Sequence, residues 1–245
     1  MASYVITGAS RGLGLELTRQ LSARSEVGKI FATARGDSPK LQELAKASSG
    51  RIVVIKLDVS DEAAVKKAAA EVEIGLAGKG LDVLINNAGI RQFSQKGTSS
   101  MENLQESFTT NVLGVHWVTR AFIPLLQKGN QKKIANISST VGSITYARLV
   151  QPIPAPAYKI TKTAVNALTV QYALDYENEG FTIFALSPGW LRTDLGGEQA
   201  DLSVEDGAEA TLVKILSSTK EQNGQFLNIK AEGWGEKYDG SNAPW

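Results

Sequence analysis

Short runs of apolar and β-branched residues alternate along the chain with longer stretches whose apolar positions recur every three to four residues. "SYVIT" (3–7), "KIFATA" (29–34), "RIVVIKL" (51–57), "LDVLIN" (81–86), "KKIANIS" (132–138), "FTIFALS" (181–187) and "GQFLNI" (224–229) read as seven strands. Most are apolar at consecutive positions, the pattern of strands covered by helices on both sides. Segments 13–24, 39–48, 61–75, 101–127, 157–178 and 204–217 carry the helical pattern. The third opens "SDEAAV", where Ser60 is placed to cap and Asp61 and Glu62 suit the positive end of the helix dipole. Regular strand–helix alternation predicts right-handed crossovers and an α/β, doubly wound, seven-stranded parallel sheet with helices on both faces. No repeat, low-complexity tract or linker divides residues 1–245, so one domain is expected.

Composition narrows the possibilities. With 245 residues the chain can bury a full core. Its 26 basic and 25 acidic side chains leave no field to gather nucleic acid or anionic lipid. No stretch approaches the roughly 20 apolar residues that span a bilayer, and "MASYVITGAS" lacks the basic and apolar regions of a secretion signal. The absence of cysteine removes disulfides, thiol nucleophiles and thiolate metal sites, and a lone His116 cannot build a metal site by itself. A cytoplasmic protein with no metal is the expectation.

The first strand runs directly into "TGASRGLG", with glycines at 8, 12 and 14, and then into the helical "LELTRQL". Glycine permits a tight turn and a close approach of pyrophosphate to the backbone, and the helix start offers unpaired N–H groups. A strand, a glycine turn and a helix in that order form the phosphate cradle of a Rossmann-type dinucleotide fold. An acid about 20 residues beyond the glycines would mark a free ribose 2′-hydroxyl. Here that position is Ala34, followed by Arg35, and Arg11 lies in the turn itself. Guanidinium groups suit a 2′-phosphate, so NADPH is expected rather than NADH.

Further along, "PAPAYKITK" places Tyr158 and Lys162 four residues apart on one helix face, behind two prolines that stiffen the approach. A free phenol ionises near 10. A neighbouring ammonium, with the positive charge of an oxidised nicotinamide, is expected to lower that value and make Tyr158 a usable acid.

These motifs together resemble the short-chain dehydrogenase/reductase family over essentially the whole chain. "TGASRGLG", "LDVSD", "NNAG" (86–89), "TTNVLG", "NISS", "YKITK" and "SPGWLRTDL" occur in register. "PGWLRTDLGG" and "KYDGSNAPW" are most similar to C-factor and sniffer-type carbonyl reductases and to fungal ketoreductases of the norsolorinic acid type. The resemblance implies a catalytic set of Asn111, Ser139, Tyr158 and Lys162, with Ser138 as the rival serine. It implies cofactor contacts from Gly8, Ser10, Arg11, Gly12, Leu13, Gly14, Arg35, Asp58, Val59, Asn87, Ala88, Gly89, Tyr158, Lys162, Pro188, Gly189 and Thr193. Asp58 would meet the adenine amino group, Asn111 would support a proton relay, and Thr193 would bond the carboxamide.

The 19 residues from Ser139 to Tyr158 (158 − 139) exceed the family's usual spacing, and the intervening loop is expected to wall a substrate pocket. Tyr146 in that loop has Val150, not lysine, four residues on and is no rival acid. Trp190, Trp234 and Trp245 are expected either to shape the pocket or simply to pack. The implied activity is reduction of a ketone or aldehyde; a dinucleotide-binding sensor and an NAD-dependent alcohol dehydrogenase are the alternatives. A homodimer or homotetramer through the helices bearing Asn111 and Tyr158 is open, as is a monomer.

Overall fold

The computed structural model describes residues 1–235 and 237–245. Seven parallel strands form one sheet: β1 (Ala2–Ile6), β2 (Val27–Ala34), β3 (Ile52–Lys56), β4 (Val83–Asn86), β5 (Lys133–Ile137), β6 (Thr182–Ser187) and β7 (Phe226–Asn228), in the order β3-β2-β1-β4-β5-β6-β7. The order reverses beside β1, where the chain moves from β3 across to β4. That reversal opens a crevice above the carboxyl ends of β1 and β4, the place where doubly wound sheets bind ligands.

The helices are α1 (Gly12–Ser22), α2 (Pro39–Ala47), α3 (Glu62–Leu76), α4 (Leu104–Phe108), α5 (Gly114–Gln127), α6 (Pro156–Asp175) and α7 (Val204–Ser217). Leu17, Leu21, Leu41, Leu212 and Ile215 from α1, α2 and α7 close one face of the sheet over Ile6, Ile30 and Phe184. Val65, Val72, Val118, Phe122 and Ala173 from α3, α5 and α6 close the other over Val5, Phe31 and Ile183. Burial on both faces is why the central strands read as unbroken apolar runs.

Three details differ from the sequence expectation. Ser60 is not the cap of α3; Asp61 is, and its Oδ1 accepts from the amides of Ala63 (2.8 Å) and Ala64 (3.1 Å). Ser60 instead gives both its amide and its hydroxyl to Asp58. The helix expected from 101 begins at Leu104, and a single π turn, Thr109–Leu113, separates α4 from α5. That extra backbone width sets Asn111 into the interior.

Buried polar residues lock the middle of the sheet. Asn86 on β4 donates to Asn136 on β5 at 2.8 Å and to Thr119 on α5 at 3.0 Å, and Asn136 donates to Thr169 on α6 at 2.9 Å. α5, which continues from the turn holding Asn111, and α6, which carries Tyr158 and Lys162, are thereby fastened to the strands beneath them.

Candidate active site

The glycine turn is held rigid by the end of β4. Thr7 Oγ1 accepts from the amides of Asn87 and Ala88, each at 3.0 Å, and the Asn87 amide group donates back to the carbonyls of Thr7 and Gly8. Gly8 and Gly12 sit at φ +68° and +54°, in the left-handed region that favours glycine. A Cβ on Gly14 would lie 2.3 Å from the Gly8 carbonyl oxygen. At the start of α1, Arg11 is extended and supplies no side-chain cap, so the first-turn amides face the crevice without a side-chain partner. These features fit a pyrophosphate.

Beyond the turn lies a cleft of about 440 Å³ lined by Ser10, Arg11, Asp37, Ser38, Pro39 and Lys40. Ser38 closes its floor by donating to the Ser10 carbonyl at 2.9 Å. Arg35 is exposed at the end of β2, and its charge reaches Asp58. Burial pushes the Asp58 carboxyl up, but two hydrogen bonds from Ser60, helped by Arg35, bring it below the usual carboxylate range. Arg11 is paired with Asp194, an exposed contact that a phosphate would compete for. Ser38 and Lys40, which the sequence reading missed, line this cleft with Ser10 and Arg11.

At the other end of the crevice, Gly189 has φ +81° and carries the chain past Pro188 into a loop fixed by its own contacts. Thr193 Oγ1 accepts from Gly196 N at 3.0 Å, and its methyl group stands against Gly12. Trp190 donates its ring N–H to the Gly196 carbonyl and its amide to Tyr238 Oη, so it braces this loop. Trp245 stacks on Phe226 with ring centres 5.5 Å apart, and Trp234 packs near Tyr238. Trp190 therefore braces its loop through hydrogen bonds, and Trp234 and Trp245 act through ring contacts.

The polar heads of Asn111 and Lys162 converge on Gly89: a Cβ there would lie 3.2 Å from Asn111 Oδ1 and 3.7 Å from Lys162 Nζ. Asn111 is fully buried; it accepts from Ile90 N at 2.8 Å and donates to Ile90 O and to Thr161 Oγ1. Lys162 is buried and donates to the Ile137 carbonyl at 2.7 Å. The two serines after β5 separate clearly. Ser138 is buried and gives its hydroxyl to Asn166 at 2.6 Å, whereas Ser139 is half-buried, accepts from Val141 N at 3.4 Å, and has a hydroxyl whose influence reaches the Tyr158 phenol.

The charge states depart from the simplest expectation. Burial pushes the half-buried Tyr158 phenol up to about 12, and the Arg91 charge and the Ser139 hydroxyl only partly offset this. Burial also pulls the Lys162 ammonium down to about 8. Burial is the largest influence on both groups, and the Lys162 ammonium is turned to a main-chain carbonyl.

The model of the short chain dehydrogenase family matches residues 3–203. The chain belongs to the short-chain dehydrogenase family. Among its relatives, the short-chain dehydrogenase/reductase atnB of an Arthrinium species is 37% identical over 206 residues, covering 79% of this chain and 76% of that one. An NADPH-bound carbonyl reductase from chicken fatty liver superposes with a TM-score of 0.89 at 34% identity, covering 100% and 99% of the two chains. Carbonyl reductase Sniffer of D. melanogaster gives 0.90 at 32% identity and covers 100% of both. Like them, this short-chain dehydrogenase is a seven-stranded parallel α/β oxidoreductase. No described helix is long and apolar enough to cross a membrane.

Proposed function

We propose that this short-chain dehydrogenase reduces a ketone or aldehyde with NADPH, using Tyr158 as the general acid. The observation that carries the reading is the convergence of Asn111 and Lys162 on Gly89, with the Tyr158 ring 5.5 Å from the Lys162 ammonium and Ser139 just past the end of β5. Tyr158 begins protonated at neutral pH, as any phenol does, and burial holds that proton more firmly until a cationic nicotinamide would draw the value down. It gives that proton to the carbonyl oxygen, while the Ser139 hydroxyl donates a hydrogen bond to the same oxygen and orients it. The hydride that forms the new C–H bond would come from the cofactor when it is bound.

Lys162 and Asn111 act behind the tyrosine. Lys162 lies within reach of the residues that would carry the nicotinamide ribose, and its ordinary charge is only partly retained near pH 8. Asn111 fixes Ile90 and Thr161 and so sets the spacing of the helix around Tyr158. The phosphate cleft favours NADPH because it is lined by Arg11 and Lys40, follows Arg35 along the chain, and has Ala34, not an acid, at the end of β2. Asp37 on the same rim is a reason to test NADH beside it.

The test is the initial rate of NADPH and NADH oxidation over aliphatic, aromatic, quinone and polyketide-like carbonyls. Turnover that favours NADPH supports the reading. Tight NADPH binding with no turnover on a broad panel would favour a dinucleotide sensor, and a preference for NAD with alcohols would reverse the direction of flux.

A further inference from the structure

Residues 90–94 form a short wall anchored at both ends beside the reacting groups. At one end both main-chain groups of Ile90 are clamped by the Asn111 side chain at 2.8 and 2.9 Å. At the other, Ser94 N donates to the Pro154 carbonyl at 2.8 Å, four residues before Tyr158. Gln92 donates to Glu106 at 2.9 Å. Arg91 and Phe93 form a pair of their own, with the guanidinium carbon 4.9 Å from the ring centre, and Phe93 remains 51% exposed.

The Arg91 guanidinium has no acceptor among the described residues, although it is half-buried. Arg51, buried to a similar degree, donates to the Arg24 carbonyl at 3.3 Å, and Arg19 and Arg24 pair with carboxylates. A partly desolvated guanidinium without an acceptor is costly unless a ligand supplies one, and its planar fork matches a carboxylate. The exposed Phe93 ring beside it offers a face for an aromatic group. Ile90 beside Arg91 is clamped by Asn111, Ser94 bonds Pro154 just before Tyr158, and the Arg91 charge is felt at the Tyr158 phenol, so Arg91 stands near the reacting groups rather than on a remote surface.

We propose that Arg91 and Phe93 form a subsite that selects aryl carbonyl substrates bearing a carboxylate close to the reacting carbonyl. This rests on the reductase reading for its chemistry, but the binding of the anion does not. The carboxylate would take the guanidinium fork and the aryl ring would lie on Phe93, which points the ketone toward Ser139 and Tyr158.

The probes are phenylglyoxylate, its methyl ester and benzoate. In the wild type, the kcat/KM for phenylglyoxylate with NADPH should exceed that for the ester. In Arg91→Gln the acid-to-ester ratio should fall roughly 10- to 100-fold, the scale of a lost charge-assisted contact, and Arg91→Lys should recover part of it. Benzoate titrated calorimetrically into the NADPH-saturated protein should bind, and Arg91→Gln should weaken it by about the same factor. A ratio that Arg91→Gln leaves unchanged, or benzoate that fails to bind or binds both proteins equally, overturns the subsite. If neither carbonyl is reduced while benzoate binding still depends on Arg91, the reductase reading falls for these substrates and the anion subsite stands.

Discussion

The Lys162 ammonium lies 5.5 Å from the centre of the Tyr158 ring while it donates to the Ile137 carbonyl at 2.7 Å. The helical spacing of four residues brings the pair to one face, yet burial shapes both groups more than their mutual charge does. Tyr158 is held near 12 in the protein without cofactor. A cationic nicotinamide nearby would favour the phenolate and draw this value down. The ultraviolet difference titration of wild type against Tyr158→Phe should show a phenol ionising above pH 11 alone and at lower pH with NADP⁺. An identical curve in both conditions would remove the cofactor from the control of this proton.

Tyr158→Phe keeps the ring and removes only the proton. Turnover should fall about 10²- to 10⁴-fold, the usual contribution of a positioned general acid, with NADPH affinity nearly unchanged. Stopped-flow rates and a cofactor-binding titration check the two halves separately. Unaltered turnover would mean that another group protonates the carbonyl oxygen.

Burying Lys162 should be visible in stability. Its folded pKa is about 8 against an ordinary 10.5, so the unfolded chain holds the proton more strongly. Below pH 8 both states are charged, and burial costs the fold on the order of a few kcal/mol. That penalty is relieved as pH rises from about 8 to 10.5, where the folded lysine loses its proton first. Lys162→Met removes the titration and leaves the Ile137 carbonyl without its donor, a cost that does not vary with pH. The melting temperature of the variant relative to wild type should therefore fall between pH 7 and 10. A difference that stays constant over this range would show that the lysine is not desolvated.

The legible parts of the molecule were those with a repeating signature. Alternating apolar runs and helical periods gave all seven strands, and the glycine turn announced its place after β1 because tight geometry demands particular residues. The π turn at Thr109–Leu113 was not legible, since one wide backbone turn leaves the side-chain period nearly intact. Nor was the Asn86–Asn136–Thr169 ladder, because a polar residue in an apolar strand does not name its partners. The Ser60–Asp61 reassignment reflects a choice between adjacent capping residues that only the bonding of Asp58 decides. Lys40 and Arg91 escaped for a different reason: a charged residue at the start of a helix or in a loop joins a site only when the fold brings it to the rim.

Gly14 is a steric requirement of the cradle. A methyl group there would meet the Gly8 carbonyl oxygen at 2.3 Å and Asn87 Nδ2 at 2.5 Å, both held by the bonds that fasten the turn to β4. Gly14→Ala should lower unfolding free energy by about 1–3 kcal/mol, the range for overpacking a fixed interior, and weaken cofactor binding further. Denaturant unfolding and a cofactor titration measure each part. Full stability with full affinity would show that the turn can shift to admit the methyl.

Arg35→Ala should weaken NADPH about tenfold or more while changing NADH little, because the lost contact is charge-assisted and specific to the extra phosphate. Lys40→Ala should act in the same direction with a smaller effect, since a single ammonium lacks the bidentate fork. Equal weakening of both cofactors would place these side chains outside the phosphate site.

Trp245 ties the edge of the sheet to the loop that leads into Tyr158. Its carbonyl accepts from Thr145 N at 3.0 Å, Thr145 Oγ1 at 2.8 Å and Ser143 Oγ at 3.2 Å, while its ring stacks on Phe226 of β7. Trp245→Ala keeps the carbonyl but removes the stack that holds it in place, a loss of about 0.5–1.5 kcal/mol beyond the area uncovered. The loop over residues 143–155 should then open more often, because three of its bonds depend on that anchor. Amide exchange at Thr145 should accelerate, and KM should rise more than kcat falls, since Ser139 and Tyr158 are themselves held by β5 and α6. Unchanged exchange at Thr145 would show that the loop is fixed from within, leaving Trp245 to do no more than cover Phe226.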